Sequence, residues 1–273
     1  MFDFVGFFLY NNSSDSTMKI SFLGTGGAVA SQERDNISFL IEESAVLSLI
    51  DCPGAVVQKI KKVGYRPQDL KFIFITHIHP DHIYGLPSLI HSLMLEEMNL
   101  LLFGSAETIG FCAQLLDLFG LRESKIKCRV ELRELAPENE ISLTSQLKVT
   151  GLVIKHHSSS LGFLWENASG KKIVYSGDTP ADRSFFSKIE GVDCLIHDCS
   201  APARFFQLFP ELKRMHTDSL TLGKLAEEFR IKRLIPCHFF GEIDFDQEEI
   251  VQEIKFSYQG ELTVPQDFMS ITI

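Results

Sequence analysis

The most constraining feature of the 273-residue sequence is the run Ile75-Thr76-His77-Ile78-His79-Pro80-Asp81-His82, which crowds four imidazole or carboxylate groups into six positions. With 9 histidines and 36 acidic residues available, a His-x-His-x-(Asp/Glu)-His run arises by chance on the order of once in a thousand such chains. The residues before it, Phe72 to Ile75, are continuously apolar, as in a buried strand. Pro80 is tolerated in the first turn of a helix but not inside one, so the spacing predicts a strand-to-helix turn. In extended chain His77 and His79 point the same way, whereas the adjacent pair Asp81 and His82 must diverge. One short loop can thus feed two neighbouring metal positions. Imidazole and carboxylate suit zinc, with manganese or iron as alternatives where oxygen donors enter. The plain alternative is a solvated, histidine-rich turn.

Composition narrows the setting. At 45% hydrophobic, a chain of this length can bury a substantial core as one α/β domain. No apolar run approaches the roughly 18 residues that cross a bilayer. Met1 to Tyr10 is apolar and aromatic but lacks the basic start and cleavage site of a signal peptide, and a polar stretch separates it from Met18. Residues 1–17 are therefore expected to be an N-terminal extension, with an ordered docking segment as the alternative, and residues 18–273 the domain. Six scattered cysteines without a Cys-x-x-Cys pair fit reduced core thiols and a cytoplasmic location. Cys52 and Cys237 neighbour candidate site residues and read as small hydrophobes, contact with a metal being the alternative. The formal charge of −10, with no basic cluster denser than Lys59-Lys61-Lys62, argues against a long nucleic acid as partner.

Read in order, the strand Lys19 to Leu23 ends in Gly24-Thr25-Gly26-Gly27. No Gly-Lys-Ser/Thr and no helix follow, so this is a tight turn at a rim and not a nucleotide-binding loop. Strands are expected over 37–42 and 46–51, the second ending at Asp51, and a helix over 55–63. A helix over 86–98 would bury Leu86, Leu89, Ile90, Leu93 and Leu95. Strand 99–103, helix 106–119 and strand 129–132 complete the first half. In the second half, strand 147–155 ends at His156-His157, strand 172–176 at Gly177-Asp178-Thr179, and strand 193–197 at His197-Asp198. His216 precedes a helix over 217–229, capped by Thr217 or Asp218, and strand 233–236 delivers His238. A helix near 246–256 and short strands around 262 and 270 close the chain. Histidines and aspartates recurring at strand ends, in two groups of strands each followed by helices, predict an α/β sandwich that gathers a site at one edge.

The run His77-x-His79-x-Asp81-His82, followed by Gly85-Leu86-Pro87, resembles the His-x-His-x-Asp-His signature of the metallo-β-lactamase superfamily, particularly its ribonuclease Z-type branch. The resemblance extends from Met18 through most of the chain. It implies an αββα sandwich of two mixed β-sheets flanked by helices. It also implies that His77, His79 and His156 hold one divalent metal, that Asp81, His82 and His238 hold the other, and that Asp178 of Gly-Asp-Thr spans both. His156 stands six positions before Gly162 of a Gly-aromatic pair, as in the family, with His157 as its competitor. Asp51 is the implied support behind a ligand histidine, or otherwise a cap or turn carboxylate. The family sets a non-ligand histidine 22 positions before the last metal histidine, the spacing of His216 and His238 here. His216 is thus the implied general acid, its alternative being a helix-entry histidine with local bonds only, and Asp81 the group that accepts a proton from the attacking water. His197-Asp198-Cys199-Ser200 departs from the family's His-Glu-Ala-Thr and leaves the outer support of the site open.

The expected activity is a dinuclear metal-dependent hydrolase, a ribonuclease Z-like phosphodiesterase using a metal-activated hydroxide, with two divalent ions, zinc first. Only 22 positions separate His156 from Asp178, too few for the exosite arm that ribonuclease Z proteins carry there. With the acidic balance this points to a small phosphodiester or ester, such as a cyclic nucleotide, and away from RNA. A tRNA 3′-end endonuclease and an acyl hydrolase (thioesterase or lactonase) on the same metals are the alternatives. No membrane partner is expected, and a homodimer is common among similar proteins.

Overall fold

A computed structural model of the protein describes residues 17–273; the expected extension over 1–17 lies, except for Thr17, outside the described residues. The first half supplies six strands of a seven-stranded mixed sheet, β1 (Met18–Gly24), β2 (Ser38–Glu43), β3 (Val46–Ile50), β4 (Leu70–Phe74), β5 (Asn99–Gly104) and β6 (Arg129–Glu134). The second half forms a seven-stranded mixed sheet from β7 (Glu140–Ser142), β8 (Leu147–Val153), β9 (Leu161–Asn167), β10 (Lys172–Tyr175), β11 (Cys194–Asp198), β12 (Arg233–Cys237) and β13 (Glu261–Leu262). The last strand, β14 (Ser270–Thr272), returns to the first sheet and pairs antiparallel with β1. Each sheet opens with antiparallel neighbours and continues with parallel ones: β3, β4, β5 and β6 in the first, β10 to β13 in the second.

Three apolar layers hold the sheets and helices in register. Between the sheets, Phe74 packs against Phe103, Phe163 and Trp165 with ring centroids 5.2, 5.2 and 5.6 Å away. The outer face of the first sheet is covered by α1 (Val56–Lys62), α2 (Pro80–Ile83), α3 (Leu86–Ser92) and α4 (Ala106–Leu118) through Ile60, Ile83, Leu89 and Leu116. The outer face of the second is covered by α5 (Arg183–Lys188), α7 (Ser219–Glu228) and α8 (Gln247–Lys255) through Phe186, Leu222 and Ile250, while α6 (Ala203–Leu208) packs beside them. This is the αββα sandwich, and sheets buried on both faces explain strands as apolar as Leu47-Ser48-Leu49-Ile50.

Two local expectations fail for physical reasons. The helix expected over 86–98 ends at Ser92, and Leu95 is 70% exposed instead of buried. The chain only has to retrace β4: five strand residues rise about 16 Å, and the four and seven residues of α2 and α3 climb back about the same distance. Residues 93–98 then turn, with the Met94 and Met98 carbonyls accepting from Lys127 and Arg129 on the approach to β6. The sequence reading also placed no strand over 161–167, where β9 bridges β8 and β10.

Candidate metal centre

All the parallel strands of interest end at one rim, the usual site location in open α/β sheets. β3 delivers Asp51, β4 the His77–His82 loop, β10 Asp178, β11 Asp198 and β12 His238, while the β8–β9 turn brings His156. Among the described residues, three groups of donor atoms form at this rim, each within 4.8 Å: His77, His79, His156 and Asp178 in one, Asp81, His82, Asp178 and His238 in the next, and beside these two a smaller one of Asp198, His216 and His238. All seven residues expected from the sequence are thereby brought together, with Asp178 common to the first two groups.

In the first group the His79 Nδ1 lies 3.0 Å from His77 Nε2 and 3.3 Å from His156 Nε2, and Asp178 Oδ2 is 3.8 Å from each of those Nε2 atoms. In the second, His82 Nε2 is 3.2 Å from Asp81 and 3.4 Å from Asp178, and His238 Nε2 is 3.5 and 3.1 Å from the same two carboxylates. Ligands bound at about 2.0–2.1 Å in a tetrahedron stand about 3.3 Å apart, so both groups have the spacing of one ion each. His82 Nε2, His238 Nε2 and Asp178 Oδ1 are buried without a hydrogen-bond partner. Such groups are costly to leave unpaired, and here they face a common point that a cation would satisfy. The donor set therefore fits divalent metal.

The expectation that Asp81 and His82 diverge is wrong. Both lie in α2, where adjacent side chains start about 100° apart, but the imidazole is long enough to swing back beside the short carboxylate, and both serve the second group. The split between groups falls between His79 and Asp81, across Pro80 at the start of α2.

The far nitrogen of most of these rings is tied down, which leaves the inner nitrogen free to accept a cation. His82 Nδ1–H donates to Asp51 at 2.8 Å, His77 Nδ1–H to Thr76 Oγ1 at 3.0 Å, and His156 Nδ1–H to the Met215 carbonyl at 2.9 Å. Asp51 is fully buried and also accepts from the Thr76 N–H and hydroxyl and, across the sandwich, from Tyr175 Oη. Asp51 and His238 both hold positive φ, +54° and +64°, which for non-glycine residues costs of order 1–3 kcal/mol each and marks a site over-determined by its surroundings. The His238 turn is held by its N–H bond to the Thr25 carbonyl, and a side chain at Gly27 would crowd the His238 ring at 3.2 Å. The glycine turn is thus the rim expected from the sequence.

Burial works against charge on these rings, and its balance with the carboxylates differs between the groups. It holds His77 well below the usual imidazole value. For His82 and His238 the facing Asp178 and Asp81 outweigh it: His82 is held well above the ordinary range and His238 is pushed up to about 10. Against their own burial, Asp178 and Asp81 are in turn held well below theirs by these histidines.

His216 lies beside both groups, its ring stacked on His238 at 5.2 Å and tilted against His156 at 5.2 Å. Its Nδ1–H donates to Asp198 at 2.8 Å. Asp198, fully buried, also accepts from the Thr179 N–H and the Ser200 hydroxyl. At the position where the sequence departs from the family's glutamate, the Asp198 carboxylate thus reaches the His216 imidazole. Alternation along β11 sends His197 the other way, against Phe186, with Nδ1–H bonded to the Asp198 carbonyl. His157 bonds Ser159 and stands outside both donor groups, as do the buried Cys52 and Cys237. Sequence reasoning missed Thr76, Ser200, Tyr175 and the Met215 carbonyl. Thr76, inside the defining run, and Ser200, in the quartet His197-Asp198-Cys199-Ser200, carried a signal.

Fold and site define a metallo-β-lactamase-superfamily, ribonuclease Z-like protein, a metal-dependent hydrolase. The chain belongs to the family described as Anti-Pycsar protein Apyc1, whose model matches residues 18–262. It is 25% identical to the ribonuclease Z of Methanosarcina acetivorans, covering 94% of this chain and 98% of the relative. That alignment spans 307 positions, longer than the chain itself, so the relative carries inserted segments that are lacking here. Among solved structures, the metallo-β-lactamase fold protein YhfI from Bacillus subtilis superposes with a TM-score of 0.81 at 19% identity, over 94% of this chain and all of that one. Human tRNase Z, short form, superposes with a TM-score of 0.74 at 23% identity, over 93% and 98%.

Proposed function

We propose that the chain hydrolyses a small phosphodiester, such as a cyclic nucleotide, at two divalent cations, zinc in both positions. His77, His79 and His156 would hold one, Asp81, His82 and His238 the other, and Asp178 would span them. The observation that carries this reading is the sharing of Asp178 by two donor groups, together with the buried His82 Nε2, His238 Nε2 and Asp178 Oδ1, which lack a hydrogen-bond partner. Bound there, the pair lowers the pKa of a water to about 7 and neutralises charge on the oxygens of an in-line displacement at phosphorus.

The chain's own residues supply the rest. Asp81, at the open edge of the second group, accepts the proton of the attacking water. His216, fixed in one tautomer by Asp198, keeps Nε2 for the substrate and, when protonated, donates to the leaving alkoxide. An acyl hydrolase needs no such acid for an acidic leaving group, so the Asp198–His216 pair favours a phosphodiester.

The stretch between His156 and Asp178 supports a small substrate. It is occupied by β9 and β10, antiparallel partners joined by a short turn, with no projecting arm. Together with the net charge of −10 this favours a small substrate over the RNA that the relatives' name denotes. Six free, buried cysteines fit a reducing, cytoplasmic compartment, and no described helix is long and apolar enough to cross a membrane. The test is a side-by-side screen of metal-replete protein on bis(p-nitrophenyl) phosphate, cyclic nucleotides, a pre-tRNA, thioesters and lactones. Turnover of the first two is expected; turnover of a thioester or lactone alone would refute the reading, and of pre-tRNA alone the size argument.

A further inference from the structure

Among the described residues, His238 alone of the seven candidate ligands holds a positive φ, +64°. A non-glycine residue stays in that region only where its surroundings impose it. The His238 N–H bonds the Thr25 carbonyl at 2.9 Å, and the Phe239 carbonyl accepts from the Gly27 N–H at 2.7 Å. The glycine turn after β1, in the first sheet, thus grips a ligand delivered by the second. What grips the turn is the far end of the chain. The Phe22 N–H bonds the Met269 carbonyl and the Phe22 carbonyl accepts from the Phe268 N–H, both at 2.9 Å, which lays the segment before β14 beside the end of β1. From that segment Asp267 accepts from the Thr25 hydroxyl at 2.7 Å and from the Asp35 N–H at 2.8 Å. The Asp35 carbonyl in turn accepts from the Thr25 and Gly26 N–H groups at 3.0 and 2.8 Å. Arg34 closes the ring by donating to the Thr25 hydroxyl at 2.6 Å and to the Pro265 carbonyl at 2.8 Å.

We propose that Asp267 is a positioning residue for His238: the C-terminal segment fixes the glycine turn, the turn fixes the His238 backbone, and the affinity of the second donor group for its cation depends on that chain of contacts. The inference rests on the two-cation reading above. The chemistry of the ring calls for a carboxylate. A backbone N–H can only donate, and the Thr25 hydroxyl, already accepting from Arg34, has its proton to give, so both Asp267 oxygens must accept. An amide at 267 would turn an NH₂ toward one of those donors. Thr25 is fully buried, and its N–H, carbonyl and hydroxyl are all engaged, so a displaced hydroxyl carries the carbonyl that holds His238 with it. Ligand geometry has to be kept to within about 0.5 Å, which makes a cation group sensitive to a shift that a sheet edge would absorb.

The experiment titrates the metal-free full chain with zinc against a chromophoric chelator. Asp267→Asn and Thr25→Val are expected to weaken binding at one of the two sites about tenfold and to leave the other within about twofold, and Thr25→Ser, which keeps the hydroxyl, to restore the wild-type affinity. Two backgrounds assign the site. With His156→Ala, which leaves the second group complete, the loss persists; with Asp81→Ala, which leaves the first complete, it vanishes. Circular dichroism shows whether each variant is folded, and should Asp267→Asn not fold, the comparison of Thr25→Val with Thr25→Ser decides. Unchanged affinity in Thr25→Val, equal losses at both sites, or a Thr25→Ser as weak as Thr25→Val would each overturn the proposal. If the wild type itself binds fewer than two zinc ions, it is the two-cation reading that fails.

Discussion

The facing Asp178 and Asp81 hold His82 well above the ordinary imidazole range and push His238 up to about 10, which favours a proton on each ring before metal binds. A cation has to displace those protons, so affinity for metal should rise with pH, and titration calorimetry at pH 7 in two buffers should count about two protons released per chain. No release would mean that the rings are neutral before binding. The sign for stability runs the other way: with a folded pKa of about 10 against an ordinary 6.5, the contribution of His238 is complete below pH 6.5 and disappears as pH rises through 10. The melting temperature of metal-free protein should therefore fall relative to the loaded form across that window. His216 is a different case, touching Asp198 and the substrate space but belonging to neither bridged group. His216→Ala should lower kcat about 10²–10⁴-fold with metal content unchanged, and loss of metal in that variant would make it a structural residue.

At the level of elements, the strand-end positions of the ligands were legible because apolar runs such as Phe72 to Ile75 stop abruptly at polar, metal-binding types. The run of Gly85-Leu86-Pro87 was legible as a motif, but its reason is visible only in three dimensions. The Cys52-Pro53 turn that follows Asp51 lies against the start of α3, the Gly85 N–H bonds the Cys52 carbonyl, and a side chain there would fall far inside contact distance of the Pro53 carbonyl. Backbone cannot yield as a flexible side chain does, so Gly85→Ala should cost at least about 2 kcal/mol, read as a lowered denaturation midpoint. An unchanged midpoint would show that the two turns are not clamped. Illegible were the features set by distance in space: the end of α3, fixed by the length of β4; the convergence of Asp81 and His82, which needs the reach of an imidazole; and the support of Asp51 by Tyr175, which comes from the opposite sheet.

Across the described residues, two sheets of seven strands press a shared aromatic core together and leave their strand ends as the floor of one site. The cysteines belong to that packing. All six are free and buried, and burial pushes the Cys128 thiol up to about 11 and the Cys112 thiol up to about 12. Ellman's reagent at pH 8 should therefore react with few of them until the protein is unfolded, when all six become titratable; prompt reaction in the native state would contradict the packing. The two halves contribute unequally to the centre, four candidate ligands from the loop after β4 and α2 and one each from the loops after β8, β10 and β12, and the account depends on these distant segments seating metal jointly. The most direct test is elemental analysis of the purified, metal-replete wild type beside Asp178→Ala. About two transition-metal ions per chain are predicted for the wild type and fewer than about one for the variant. A wild type that retains none, or a variant that retains two, would contradict the shared, bridged centre.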